Sequence, residues 1–313
     1  MLKERLDIRE FKKVIALFNP SSGRQLFSDK LSKANEVHAL LRKTLGRGVL
    51  REMEINSFVE VRRIAKQICD ENYDWVIVIG GDGTLRAITE VFVENHKFPY
   101  MSVFPGGTVN LVAKELMVPD DPEKWLKKIK KGVAVPVWLG KANKRIFLTV
   151  AGIGIDSMVI EGVTETEKKL FSKFAYVLQG TELVKRELLW KDWQYKFNVM
   201  IDNDGIWRDA SSVIVAKSRY YAGKFSLVEG ASLSSPKLHV CLFPGDKKLD
   251  FLRYLALIAA DALDYDKSVE IVEAKTVKIK CDTHKFAAEL DGDCLVTSPL
   301  SISLLPDPIK FIS

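Results

Sequence analysis

One pentapeptide constrains this chain more than any other feature. The apolar run Trp75 to Ile79 leads straight into Gly80-Gly81-Asp82-Gly83-Thr84, and a helical pattern, Leu85 to Asn95, follows at once. A glycine-rich turn between a strand and a helix N-terminus lets backbone N–H groups approach phosphate oxygens, and the helix dipole favours their negative charge. A tight strand-to-helix turn can need glycines for packing alone. Three glycines with an aspartate and a threonine in five residues point instead to a phosphate cradle. Asp82 is itself an anion and does not bind phosphate directly; holding Mg2+ or orienting a hydroxyl suits it better.

The residues around this turn alternate between strand and helix patterns. Lys13 to Phe18 reads as a buried strand, and Leu31, Ala34, Val37, Leu41 and Leu45 mark the inner face of the helix after it. Val49 to Ile55 is a second strand, Val61, Ile64, Ala65 and Ile68 a second helix face, Tyr100 to Phe104 a further strand and Val109 to Met117 a further helix. Strands separated by helices imply a parallel sheet covered on both faces. Two more polar loops leave strands here, Asn19-Pro20-Ser21-Ser22-Gly23-Arg24 and Phe104-Pro105-Gly106-Gly107-Thr108-Val109-Asn110. Loops at the carboxyl ends of parallel strands converge on the crevice where open α/β sheets bind ligands. No GxxxxGK[ST] occurs, and Gly152-Ile153-Gly154 lacks the third glycine of a dinucleotide loop.

From about residue 133 the apolar period changes to two, as in Tyr195, Phe197, Val199, Ile201 and again in Val277, Ile279, Cys281. The second half is therefore mostly β, with a hairpin turn at Asp202-Asn203-Asp204-Gly205. Glu165 to Glu187 and Lys248 to Leu263 read as helical insertions. At about 150 residues per domain, a chain of 313 residues suggests two domains.

Composition narrows the class. With 47% hydrophobic and 28% charged residues the chain is globular rather than disordered. The greasiest stretch, Leu255 to Ala260, stops at Asp261, too short to span a bilayer. Val14 to Phe18 is too short for a signal-peptide core, so a cytoplasmic location is expected. Cys69, Cys241, Cys281 and Cys294 form no CxxC pair and read as buried free thiols. His38, His96, His239 and His284 fall in no metal-ligand spacing. The charge excess is small, 47 − 41 = +6. Its one concentration, Lys124 to Lys131, follows Asp120-Asp121-Pro122-Glu123, a helix start with a capping carboxylate and an early proline. These lysines form either a plain solvated face or one attracted to anionic lipid head groups. No nucleic-acid-binding motif accompanies them, and nucleic acid is not expected as a partner.

Asn-Pro-Ser-Ser-Gly-Arg at 19–24, Gly-Gly-Asp-Gly-Thr at 80–84 and Pro-Gly-Gly-Thr-Val-Asn at 105–110, with Ala113, together resemble the diacylglycerol kinase catalytic domain family, which includes bacterial lipid kinases and sphingosine kinases. The resemblance runs on through Gly152-Ile153-Gly154-Ile155-Asp156, Phe174-Ala175-Tyr176-Val177-Leu178 and Leu290-Asp291-Gly292-Asp293, nearly the whole chain. A GGDG turn alone also occurs in phosphofructokinases and NAD kinases; the order of the motifs is what is specific.

The resemblance implies an ATP-dependent lipid kinase with nucleotide between two domains. The first would be an NAD kinase- and phosphofructokinase-like α/β domain with a parallel sheet, the second a mostly antiparallel, lipid-binding β-sandwich. The family's last strand returns to the first domain, which suits Ile302 to Leu305 or Ile309 to Ile312. The expected domains are thus 1–131 with 302–313, and 132–301. By resemblance, Gly80, Gly81, Asp82, Gly83 and Thr84 bind the triphosphate, with Arg86 at the loop's edge. Asn19 and Thr108 contact nucleotide, and Asn56 stands where the family often has a nucleotide-contacting threonine. Asp156 matches a residue that contacts the lipid hydroxyl in sphingosine kinases. Asp293 takes the place of the catalytic glutamate in the family's DGE sequence. ATP and Mg2+, the latter at Asp82, are the implied cofactors. The implied substrate is a diacylglycerol-like lipid met by peripheral contact at the membrane surface, and a homodimer is compatible with the chain.

The chain also departs from the pattern. Leu111 replaces an aspartate, and Leu233-Ser234-Ser235-Pro236-Lys237-Leu238 replaces the Leu-x-x-Asp-Gly-Leu loop that holds a structural Mg2+, so no such ion is expected. Leu170, Phe171, Phe174, Val177 and Leu178 read as core or pocket lining rather than as a membrane helix. Two other functions fit these residues less well: a kinase of a soluble substrate such as NAD, and a lipid- or nucleotide-binding protein that has lost catalysis.

Overall fold

The apolar runs of the first third become strands in the computed structural model, which describes residues 4–21, 27–46, 48–154, 196–221, 223, 225–281, 286–292 and 294–313. In chain order these strands and helices are β1 (Glu4–Arg5), β2 (Val14–Phe18), α1 (Phe27–Leu45), β3 (Leu50–Glu54), α2 (Phe58–Glu71), β4 (Trp75–Gly80), α3 (Asp82–Glu94), β5 (Tyr100–Pro105), α4 (Leu111–Glu115), α5 (Pro122–Ile129) and β6 (Val133–Val137). The strands that follow are β7 (Gly140–Ala142), β8 (Arg145–Phe147), β9 (Val150–Ile153), β10 (Phe197–Ile201), β11 (Trp207–Ala210), β12 (Ser212–Ala216), and, after the short pair β13 (Tyr220–Tyr221) and β14 (Phe225–Ser226), β15 (Leu238–Phe243), β16 (Glu270–Ala274), β17 (Thr276–Lys280) and β18 (Ala287–Leu290). Helix α6 (Lys248–Ala259) precedes β16, and β19 (Cys294–Thr297), β20 (Leu300–Leu304) and β21 (Ile309–Ile312) close the chain.

The chain divides into two units, Met1–Val137 with Asp307–Ser313, and Trp138–Pro306. Unit 1 is built on a sheet of order β1-β6-β21-β5-β4-β2-β3, in which β5, β4, β2 and β3 run parallel. Val14, Ala16, Trp75 and Ile77 pack with α1 and α5 residues on one face, and Ile15, Leu17, Val76 and Val78 are equally buried on the other. Burial on both faces is why these strands read as unbroken apolar runs. Ser57 caps α2, and Asp121 caps α5 with Pro122 in its first turn, as the sequence of that helix predicts. Because β2 lies between β3 and β4, the chain order reverses there. That switch point places a crevice at the carboxyl ends of β2 and β4.

The unit boundaries differ from the expected 131 and 302. Strand β6 belongs to unit 1 because it hydrogen-bonds to β1 and β21, and β20 belongs to unit 2 because it pairs with β17 and β7. Of the two candidate returning strands, Ile309–Ile312 is the one in the first sheet.

Unit 2 contains two six-stranded antiparallel sheets, β11-β10-β17-β20-β7-β8 and β16-β15-β12-β9-β18-β19. Phe147, Phe197, Val199, Val277 and Ile302 of the first pack with Ile153, Val213, Val240 and Leu290 of the second to form a sandwich core. The outer face of the second sheet, with Ile214, Cys241 and Phe243, is covered by Tyr254 and Ile258 of α6. A hairpin joins β10 to β11 through Asp202 and Asn203, both at positive φ, and Gly205. The expected helix Glu165 to Glu187, the stretch Leu170 to Leu178 and His284 lie outside the described residues.

Candidate functional site

Three of the sequence-predicted loops meet at the carboxyl edge of β2, β4 and β5. The N–H of Asn19, just past β2, donates to the carbonyl of Ile79, and its side-chain amide donates to Thr84 Oγ1 at 2.7 Å. The N–H of Gly106 donates to the Gly80 carbonyl at 2.9 Å, continuing the β4–β5 pairing into the loops. A Cβ on Gly107 would lie 2.6 Å from Gly81 Cα and 2.7 Å from Asn110 Oδ1. The two glycine loops thus touch backbone to backbone, which only glycine permits at 107.

The second loop is closed by its own asparagine. Asn110 is left-handed, with φ 53°; its Oδ1 accepts the Gly107 N–H and its Nδ2 donates to the Gly107 carbonyl. Helix α4 starts immediately after. Its first N–H groups are received by Asp82, whose carboxylate oxygens accept from Leu111 N at 2.7 Å and Val112 N at 3.2 Å. A carboxylate at a helix N-terminus is favoured by the dipole. Asp82 therefore positions the second loop as well as terminating the first.

Helix α3 begins differently. Its N-cap, Gly81, has no side chain with which to bond the first-turn N–H groups, the kind of helix start that suits an anion. The residues fit a phosphate group on that ground, and the close approach at Gly107 keeps the cradle free of Cβ atoms. A carboxylate has about four lone-pair sites and is the kind of oxygen ligand that a hard cation such as Mg2+ takes. Thr108 is exposed beside Gly107, and Thr84 is buried beneath Asn19. Asn56 is exposed at the end of β3, its N–H donating to Glu60 at the start of α2. Arg86 is only 3% exposed rather than at an open edge, because α3 is buried continuously from Thr84 to Phe92.

In unit 2, Asp156 and Asp293 lie outside the described residues. The residue two before Asp293 is firmly held. Asp291 accepts from Leu148 N and Thr149 N, each at 2.8 Å, from Thr149 Oγ1 at 2.7 Å and from Val150 N at 3.2 Å. Glu289, 2% exposed, accepts the Gly292 N–H. On β15, His239 is buried, and burial, its largest influence, pushes the imidazole below its ordinary value against the pull of the Glu273 carboxylate. Among the described residues no three His, Cys, Asp or Glu side chains gather as a metal-binding group.

Sequence reasoning singled out neither Asn110 nor Asp291 as a site residue. Asn110 carried a signal in following Gly-Gly-Thr-Val, where an asparagine that tolerates the left-handed region can close a loop. Asp291 carried one in preceding a glycine at a turn, and both residues have positive φ.

Residues 13–142 match the diacylglycerol kinase catalytic domain family, and residues 149–313 match the YegS C-terminal NAD kinase beta sandwich-like domain. A Streptococcus pneumoniae serotype 4 protein, provisionally named a lipid kinase, is 24% identical over 307 residues, 96% of this chain and 98% of its own. A diacylglycerol kinase of Staphylococcus aureus is 31% identical over 181 residues, 55% of this chain and 53% of that enzyme. The crystal structure of a diacylglycerol kinase from Bacillus anthracis shares the fold, with a TM-score of 0.76, 22% identity and 97% coverage of both chains.

Proposed function

The chain belongs to the diacylglycerol kinase catalytic domain family, and from that premise we propose that it transfers the γ-phosphoryl group of ATP to the hydroxyl of a diacylglycerol-like lipid. The observation that carries this reading is the backbone contact between the two glycine loops, with Gly81 against Gly107 and Asp82 fastening α4. Phosphoryl transfer asks a protein mainly for positioning and charge stabilisation. Here first-turn N–H groups of α3 bind the phosphates, with Gly80 to Thr84 as the cradle and Asn19, Thr108 and Asn56 nearby along the sheet edge. ATP would bring Mg2+, which neutralises charge on the phosphates, with Asp82 the residue to hold it. Asp293 is the proposed base for the lipid hydroxyl and Asp156 its proposed contact. The lipid would come from a membrane surface, met by peripheral contact.

Labelling a total lipid extract with γ-32P-ATP and Mg2+ tests this directly. A labelled lipid that co-migrates with phosphatidic acid is the expected result. Label on NAD in a detergent-free assay, with none on lipid, would replace the reading with that of a soluble-substrate kinase; nucleotide binding without any transfer would replace it with a binding protein.

A further inference from the structure

The Lys217 side chain is fully buried, a rare place for an ammonium. Its Nζ donates to the Ser232 carbonyl. Its own N–H and that of Ser218 donate to the Thr149 carbonyl at 2.7 and 3.1 Å, and Thr149 in turn donates to Asp291. Lys217 therefore ties the start of the 232–238 turn to the strand end that anchors Asp291.

The turn itself is arranged for a donor, not for a divalent ion. A hard cation such as Mg2+ is held by oxygen ligands, one or two of them carboxylates. Here the Ser232 carbonyl also accepts the Ser235 N–H at 3.1 Å, and the Leu233 carbonyl accepts the Trp138 N–H at 2.8 Å. Ser232 Oγ accepts the Ser234 N–H. Pro236 stands where the family loop has its carboxylate, and Lys237 pairs with Glu273, both side chains about half exposed. The residues present do not fit the structural Mg2+ that the family resemblance implies.

We propose that the Lys217 ammonium is a built-in cation that fixes the 232–238 turn in place of a bound metal ion. Like an ion, it places positive charge against a backbone carbonyl inside the protein. Unlike an ion it does not dissociate, so the turn holds without Mg2+. Lys217 is thus a positioning residue for the second unit, and this role is independent of the transfer reaction.

The test follows thermal unfolding of the nucleotide-free protein in millimolar Mg2+ and in chelator. The wild type should melt at the same temperature in both, within about 1 °C. Lys217→Met should melt lower by about 4 °C or more. Lys217→Met/Pro236→Asp, which removes the ammonium and restores the carboxylate, should regain stability only when Mg2+ is added. A rise of several degrees for the wild type in Mg2+ alone overturns the proposal. So does a double variant indifferent to the metal, since Lys217 is then only a buried hydrogen-bond donor. Should Lys217→Met not fold, the double variant still decides: folding that depends on added Mg2+ supports the proposal, and failure to fold with or without the metal refutes it.

Discussion

Asp82 and Leu111 are 29 residues apart in sequence, and the carboxylate of the first accepts the backbone N–H of the second at 2.7 Å. This bond joins the two glycine loops of unit 1 through a side chain, next to the Gly106–Gly80 bond that joins them through the backbone. A displacement of one loop is therefore transmitted to the other.

Asp82→Asn keeps the shape of the side chain but removes its charge and turns an acceptor into a donor at a helix N-terminus. Loss of such a cap costs about 0.5–2 kcal/mol, which a small fall in melting temperature should show. Transfer should fall far more, by at least a hundredfold, if Asp82 also holds the cation that travels with ATP. A rate within about tenfold of wild type, equivalent to 1.4 kcal/mol, would confine Asp82 to its positioning part.

Two glycine substitutions in the same loops should separate steric need from mere flexibility. A Cβ at Gly107 would meet Gly81 Cα at 2.6 Å, a backbone atom with nowhere to move, whereas one at Gly80 would meet Thr84 and Asn19 side chains at 3.5 and 3.6 Å. Gly107→Ala should thus destabilise unit 1 by an overpacking cost of about 1–3 kcal/mol, and Gly80→Ala by much less. Comparable midpoints for both variants in urea denaturation would mean that the loops are not in backbone contact in solution.

The alternation of apolar runs and helical faces made the parallel sheet of unit 1 readable, because strands such as Trp75 to Ile79 are buried on both sides and carry no polar interruption. The glycine loops were readable for a related reason: close approach of backbones leaves a compositional trace. What was not readable was the partner of each polar group. Asp82 reaches Leu111, and Asp291 reaches Leu148 to Val150 some 141–143 residues away, through contacts that only the folded chain creates. The end of unit 1 was misplaced because the residues of β6 and β20 do not say which strands they pair with, and only that pairing assigns them to different sheets.

Asp291 and Asp293 should fail in different ways when replaced. Asp291 receives four donors from Leu148, Thr149 and Val150, so Asp291→Ala leaves several of them unpaired, each at about 1–3 kcal/mol where buried. Its melting temperature should drop clearly, and activity with it. Asp293→Ala should melt near the wild type yet lose most transfer, as removal of a general base typically costs about 10²–10⁴-fold. If Asp293→Ala keeps its activity while Asp82→Asn loses it, the role of base passes to Asp82.

The lysine-rich helix offers the last prediction. Trp125, Leu126 and Ile129 of α5 are buried, so Lys124 and Lys127 face solvent, with Lys130 and Lys131 exposed just beyond the helix end. Lys128 differs, its ammonium donating to the carbonyls of Leu116 and Met117 and so closing the end of α4. Only the four exposed lysines are free to meet a surface. Near an anionic bilayer each is worth about 1 kcal/mol, so changing all four to Gln should weaken binding to vesicles rich in anionic lipid by at least tenfold. The difference should shrink as salt shortens the Debye length below about 10 Å, and it should vanish on zwitterionic vesicles. Transfer to a soluble short-chain diacylglycerol should be unchanged, since none of the four lies at the loops of the candidate site. Equal vesicle binding by the two proteins would make this a plain solvated face, and loss of transfer to the short-chain lipid would mean that the substitutions disturb the fold rather than a membrane contact.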